Sequence, residues 1–159
     1  MKRTKVDIPL KKIKYIHHIS DVHIRNLKRH AEYEQVFDKL YEKIKQNRED
    51  SIIYIGGDIA HSKTDMSPEL VDQTSRFLKS LSEICPTIVI TGNHDCNLNN
   101  LNRLDVLQPI VKNLNHPHLH YIRDTEVVTL ADTTISVMSV FAVIFTRMKY
   151  LQLNRLAKI

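Results

Sequence analysis

Tryptophan is absent from this 159-residue chain, cysteine occurs twice and glycine three times. Cys85 and Cys96 stand in no CxxC pair and are too few for a disulfide framework, which excludes a small cross-linked secreted scaffold and fits a reducing compartment. No apolar run reaches the roughly 18 residues a membrane span needs, and the opening MKRTKVDIPLKK is basic with no apolar signal core behind it. The expectation is an intracellular protein, cytoplasmic or nuclear, with no membrane partner. Internal repeats and Gly/Ser linkers are also missing, so the chain reads as one domain over residues 1–141, with residues 142–159 a C-terminal segment of mixed helix and strand character.

What is present is ordinary for a packed globular domain: 42% hydrophobic residues and 26% charged, with a net charge of +5. The positive balance favours polyanionic partners, because lysine and arginine release condensed counterions when they neutralise phosphates. Charge of this size is a tilt only, and the run Lys11, Lys12, Lys14 reads first as a solvated face.

Apolar runs and amphipathic stretches alternate from residue 14 to about residue 114, the pattern of parallel strands joined by crossover helices. Strands are expected over residues 15–20, 51–55 and 87–91, each short and rich in β-branched residues. Helices are expected over residues 31–46, 68–83 and about 102–113, the second with Ser67 as N-cap and Pro68 at its first position. Residues 119–122, 126–130 and 133–141 then read as successive strands of a meander. The fold class is therefore α/β: a parallel β-α-β-α-β-α front half, layered with helices, followed by a β meander.

Each of the three parallel strands runs into a cluster of possible metal ligands: Asp21-Val22-His23, then Gly56-Gly57-Asp58-Ile59-Ala60-His61, then Gly92-Asn93-His94-Asp95. In an open α/β sheet, ligands bind beyond the carboxyl ends of the strands, so these loops should converge. All three glycines of the chain fall in two of them, where backbone must turn sharply or approach a ligand. Asp, His and Asn donors without thiolate suit two divalent ions, manganese or iron before magnesium or zinc. Paired metals of that kind activate water and clamp the oxygens of a phosphoryl transfer, with a carboxylate shared between them; Asp58, from the middle cluster, is the candidate bridge.

Asp21-x-His23, Gly57-Asp58 and Gly92-Asn93-His94-Asp95, in this order at strand ends, resemble the first three motifs of the calcineurin-like metallophosphoesterases. Within that superfamily, Gly57-Asp58-Ile59-Ala60-His61 before a Ser-Pro helix start, and Gly92-Asn93-His94-Asp95 before an Asn/Leu-rich stretch, look like the SbcD-type nuclease subunit of double-strand-break repair complexes. The resemblance covers roughly residues 15–141. It implies that Asp21 and His23 hold a first metal, Asp58 bridges and Asn93 binds a second. It further implies that His94 sits over the scissile phosphate, that Asp95 orients His94, and that His61 supports the phosphate. By the same similarity the implied activity is manganese-dependent degradation of DNA, with an SMC-like ATPase and a second copy as partners. Arg25, Lys28 and Arg29, just past the first motif, are candidate DNA-backbone contacts or solvated loop charge.

Family members carry further histidines downstream, a lone His and a Gly-His-x-His, and this chain has only His116, His118 and His120 after Asp95 and no further glycine. The chain thus resembles the front portion of a longer phosphoesterase: a fragment, a truncated product, or a protein completing its site in trans. Two other functions stay open beside the nuclease: a phosphoprotein or small-nucleotide phosphoesterase, and a catalytically incomplete module that binds DNA or an ATPase. Met66, Leu70, Val71, Phe77, Leu78 and Leu81, with Leu98, Leu101 and Leu104, either cover the sheet or form a dimer bundle. His17 and His18 read as packing or edge residues, and Cys96 as a buried thiol.

Overall fold

The computed structural model describes residues 2–100 and 102–142. Leu101 and residues 143–159, which hold nearly all of the expected C-terminal segment, lie outside the described residues.

The frame of the molecule is a four-stranded, all-parallel sheet. Its strands are β2 (Tyr15–Ile19), β3 (Ser51–Ile55), β4 (Thr87–Ile90) and β5 (Leu119–Ile122), adjacent in that order. β1 (Lys2–Val6) belongs to a second sheet with β6 (Glu126–Leu130) and β7 (Thr133–Val137), in the order β1-β6-β7. The crossovers are α1 (His30–Lys45), α2 (Pro68–Ile84) and α3 (Leu107–Leu114). This is the α/β architecture expected, with helices on one face of the parallel sheet and the small sheet on the other.

Alternation along the strands sorts the two layers. Ile53 and Ile55 of β3, Val89 of β4 and Leu119 of β5 point into a core with Phe37, Ile44, Leu70, Phe77, Leu78 and Leu81 of the helices. The intervening Tyr54, Ile88, Ile90 and Ile122 meet Val6, Val128, Leu130 and Val137 of the small sheet. Ile52, Ile53 and Ile55 are all 0% exposed. Each such side chain is worth about 1.5–3 kcal/mol on burial, which makes β3 the anchor from which the middle ligand loop departs. Phe37 and Phe77, with ring centroids 4.2 Å apart, lock α1 to α2.

The second helix starts as its sequence dictates: Ser67 Oγ accepts from the Leu70 amide at 3.2 Å and Pro68 opens the first turn. The third helix is shorter than expected, beginning at Leu107 rather than near residue 102. The asparagines before it take local backbone amides instead, Asn97 Oδ1 from Asn99 and Asn100 Oδ1 from Asn102, and such bonds compete with helix. Asp105 then caps α3, its Oδ1 accepting from Leu107 and Gln108.

The expected three-strand meander is divided. β6 and β7 form the antiparallel hairpin, but β5 pairs parallel to β4 and completes the main sheet. The last strand stops at Val137 instead of running to residue 141. β1 was not legible as a strand: its one buried apolar residue is Val6, and its partner is β6, which pairs with it in parallel register from Lys2 beside Glu126 to Val6 beside Leu130.

Candidate metal centre

The three loops that leave β2, β3 and β4 meet beyond the carboxyl edge of the sheet, and backbone bonds continue the parallel pairing past the strand ends. Asp21 donates its amide to the Gly57 carbonyl, His23 to Asp58 and Ile24 to Ile59, while His61 donates to Ile24. The first and middle ligand loops are thereby one extended ladder, with Ile24 and Ala60 forming a parallel bridge.

That ladder holds three ligand candidates in a left-handed backbone: Asp21 at φ 56°, His23 at φ 50° and Asp58 at φ 55°. The conformation costs about 1–2 kcal/mol for each non-glycine residue, so neighbouring bonds must hold it. Asp21 and His23 are held through their amides by the Gly57 and Asp58 carbonyls, and Asp58 by Asp95. The Asp95 side chain is fully buried and its carboxylate accepts from the amides of Asp58 (2.7 Å), Ala60 (2.9 Å) and Gly92 (3.0 Å). Burial pushes the Asp95 carboxyl above the ordinary carboxylate range, against the pull of those three amides.

Two glycines let the middle and third loops touch. Gly57 adopts φ 94°, and a Cβ there would stand 2.3 Å from the Gly92 nitrogen. At Gly92 a Cβ would stand 2.1 Å from Asp58 Oδ1. No larger residue fits either position.

The resulting cluster brings one ligand atom each from His23, Asp58 and His94 within 4.8 Å of one another. Asp58 lies on the middle loop, its Oδ1 accepting from the His94 amide of the third loop at 2.8 Å. Asp21 lies at the rim, its Oδ1 3.8 Å from His23 Nε2. Asn93 is exposed between Gly92 and His94. The His94 ring lies edge-on to His23, centroids 4.6 Å apart, and stacks on His61 at 6.0 Å.

One expected role changes hands. Both Asp95 oxygens are taken by backbone amides, so Asp95 does not orient the His94 ring. The His61 carbonyl does that, 3.0 Å from His94 Nδ1. A carbonyl can only accept, so Nδ1 carries a proton and Nε2 is the nitrogen left for a ligand or substrate. The His61 ring is itself exposed, and its pKa is held below the ordinary value by partial desolvation and by the positive charge of Arg25. Arg25, Lys28 and Arg29 are all exposed on the loop after His23, Arg29 with its Nε 3.6 Å from Glu32.

Residues that the sequence did not mark also serve the site. Tyr33, on the first helix, donates its hydroxyl to the His23 carbonyl at 2.8 Å. Nothing in the local sequence distinguishes it from Tyr41. Cys96 is buried, its thiol pushed up to about 11 by burial and donating to the Gly92 carbonyl, so it braces the third loop. His118-Leu119-His120 lies at the amino end of β5, four residues or about 13 Å of strand away from the carboxyl edge, and does not join the cluster. His17 and His18 remain on β2 as packing residues, His18 against the Tyr54 ring at 5.4 Å.

The donor set fits divalent metal ions. His and Asp ligands with no thiolate suit borderline and hard cations. The His23 Nδ1 is buried with no hydrogen-bond partner, a cost that the ring otherwise bears without return. No helix of the described residues is long and apolar enough to cross a membrane.

Comparison with known proteins agrees with this geometry. "Uncharacterized protein R555" of Acanthamoeba polyphaga mimivirus is 52% identical over 132 residues, covering 81% of this chain and 10% of that protein. The chain therefore spans about a tenth of the length of that relative. The family model for calcineurin-like phosphoesterases matches residues 14–152, a span that contains all three ligand loops. By that match, and by the convergence of those loops on one cluster, the chain belongs to the calcineurin-like phosphoesterase family.

Proposed function

We propose that the chain is a metal-dependent phosphodiesterase acting on DNA, of the exonuclease and endonuclease kind that serves double-strand-break repair. The observation that carries the reading is the convergence of His23, Asp58 and His94 within 4.8 Å from three loops, the first of which goes on from His23 through Arg25, Lys28 and Arg29. Carboxylates and imidazoles provide the metal site, and the cationic loop beside it suits a phosphate backbone.

Asp21, His23, Asp58 and Asn93 would hold two divalent ions, manganese first, with iron, magnesium and zinc as alternatives. Such ions, when bound, activate water at neutral pH and neutralise charge on the phosphoryl oxygens. The chain's own residues do the rest. Asp95 fixes the Asp58 loop, and the His61 carbonyl turns His94 so that Nε2 faces outward from its anchor. As an imidazolium, His94 hands the Nε2 proton to the departing oxygen, assistance worth about 10²–10⁴ in rate.

An SMC-like ATPase and a second copy of this chain are the partners proposed with this reading. A groove of about 480 Å³ between α2 and α3, lined by Met66, Val71, Leu104, Val106, Ile110 and Leu114, is the surface proposed for the second copy. Val71 and Leu104 are exposed there at 39% and 68%.

The test is loss of label from an end-labelled blunt duplex in manganese, with His94→Ala alongside. Release that falls about 10²–10⁴-fold in the variant is expected. Turnover of phosphomonoesters with the duplex left intact would move the reading to a phosphoprotein or small-nucleotide phosphoesterase. Duplex binding without any turnover would leave a DNA-binding module.

A further inference from the structure

Four residues past His23 the backbone does something its side chain disfavours. Leu27 has φ 51° and is 67% exposed. An exposed leucine alone is ordinary. A bulky side chain in the left-handed region is an outlier, and it persists only where the surroundings hold it.

They hold it here from both sides. Before Leu27, the Ile24 amide donates to the Ile59 carbonyl at 2.8 Å, and Asn26 Nδ2 donates to Asp65 Oδ1 at 2.8 Å. After it, the His30 ring nitrogen lies 2.8 Å from the Arg25 carbonyl and closes the loop on itself. Leu27 stands out between these braces, flanked by Arg25, Lys28 and Arg29. Arg29 has Glu32 nearby, whereas no carboxylate is bonded to Arg25 or Lys28 among the described residues. A stiff cationic loop tipped by an apolar residue matches a ligand with two surfaces, an anionic backbone and apolar faces inside it. Stacked bases between phosphates have that character, and proteins insert leucine between base steps to unstack them.

We propose that Leu27 is a wedge that enters the base stack at the end of a duplex while Arg25 and Lys28 hold the flanking phosphates. The strand so freed is the one presented to His94. This rests on the DNA-directed reading above and adds the element that selects a frayed end. Four residues of chain reach at most about 14 Å, so the opened step lies within about four base steps of the phosphate at the metal cluster.

The experiment uses the full chain and a blunt duplex carrying 2-aminopurine at the terminal pairs, whose fluorescence rises on unstacking. Saturating wild-type protein should raise the signal, and Leu27→Gly should lose that rise. Glycine adopts positive φ freely, so this variant removes strain and keeps the thermal midpoint at or above that of the wild type. Leu27→Met, which retains an apolar tip, should restore the rise. Lys28→Ala should bind more weakly, with its salt slope reduced by about 1, while still opening the end at saturation. Binding with no rise, or a rise that survives Leu27→Gly, overturns the wedge and leaves the DNA-directed reading standing. Failure of the wild type to bind the duplex at all overturns both.

Discussion

The two ends of the parallel sheet each carry three histidines, and only one end gathers them into a site. At the carboxyl end His23, His61 and His94 lie with ring centroids 4.6–6.0 Å apart, around Asp58. At the amino end of β5, His116 and His118 are 5.8 Å apart, yet His118 Nδ1 and His120 Nε2 are buried without partners, and no carboxylate joins the group among the described residues. The His116–His118 distance falls within the range of the carboxyl-end pairs. What differs is the backbone. His118-Leu119-His120 lies along a regular strand and its approach, where alternate side chains stand roughly 6.6 Å apart beside one another. The carboxyl-end residues come from three loops, two of which are brought into contact through glycine. Convergence of separate loops, rather than ligand spacing within one segment, makes the candidate metal centre.

The largest expected effect comes from destroying that convergence. Gly92→Ala would put a methyl 2.1 Å from Asp58 Oδ1 and 2.3 Å from its nitrogen, so the middle and third loops must part. Loss of manganese affinity by about 10–100-fold or more is expected, in the range for disturbing the groups behind metal ligands. Isothermal calorimetry of manganese into wild type and variant measures it. Unchanged affinity would mean that the two loops need not touch for the ligands to assemble.

Next is the carboxylate that ties those loops. Asp95→Ala removes the acceptor of the Asp58, Ala60 and Gly92 amides at a buried position. An unsatisfied buried donor costs about 1–3 kcal/mol, so about 3 kcal/mol or more of stability should be lost, a large share of a typical domain's total. Urea unfolding of the metal-free protein reads this directly. A loss below about 1 kcal/mol would show that water replaces the carboxylate and that Asp95 acts at the site in some other way.

These two positions also show where the sequence was readable. The convergence of His23, Asp58 and His94 was legible because each of three strand ends carried a cluster of Asp, His or Asn, and the glycines because the chain spends them only there. The parallel β2-β3-β4 core followed from short β-branched runs between amphipathic stretches. The work of Asp95 was not legible: an acid beside a histidine looks like its partner in one dimension, and only the fold shows three amides turned toward it. β1 escaped notice because its polar residues are held by Glu126, with Thr4 and Lys2 both bonded to that side chain from 120 or more residues away. The left-handed backbone at Asp21, His23, Asp58 and Leu27 left no sign either, since none of these is a glycine.

The smallest effect sharpens the contrast from the other end of the sheet. His120 lies beside Ile88 in the layer between the sheets, and its pKa is lowered from the ordinary 6.5, first by burial and then by His118. In the window between the folded value and 6.5 the unfolded chain binds more protons than the folded one, so the His120 contribution to stability falls as pH drops below 6.5 and levels off below the folded value. His17, lowered by burial, acts in the same direction. His120→Leu should therefore be close to neutral at pH 8, because it replaces a partly buried ring whose Nε2 has no partner. At pH 5.5 it should be more stable than wild type by less than about 1 kcal/mol, after allowance for the partial solvent contact of the ring. Thermal midpoints at the two pH values check this. A variant destabilised equally at both would show that the ring packs as an essential part of the layer. A variant that lost manganese binding would join the two ends of the sheet in a single site and abolish the contrast between them.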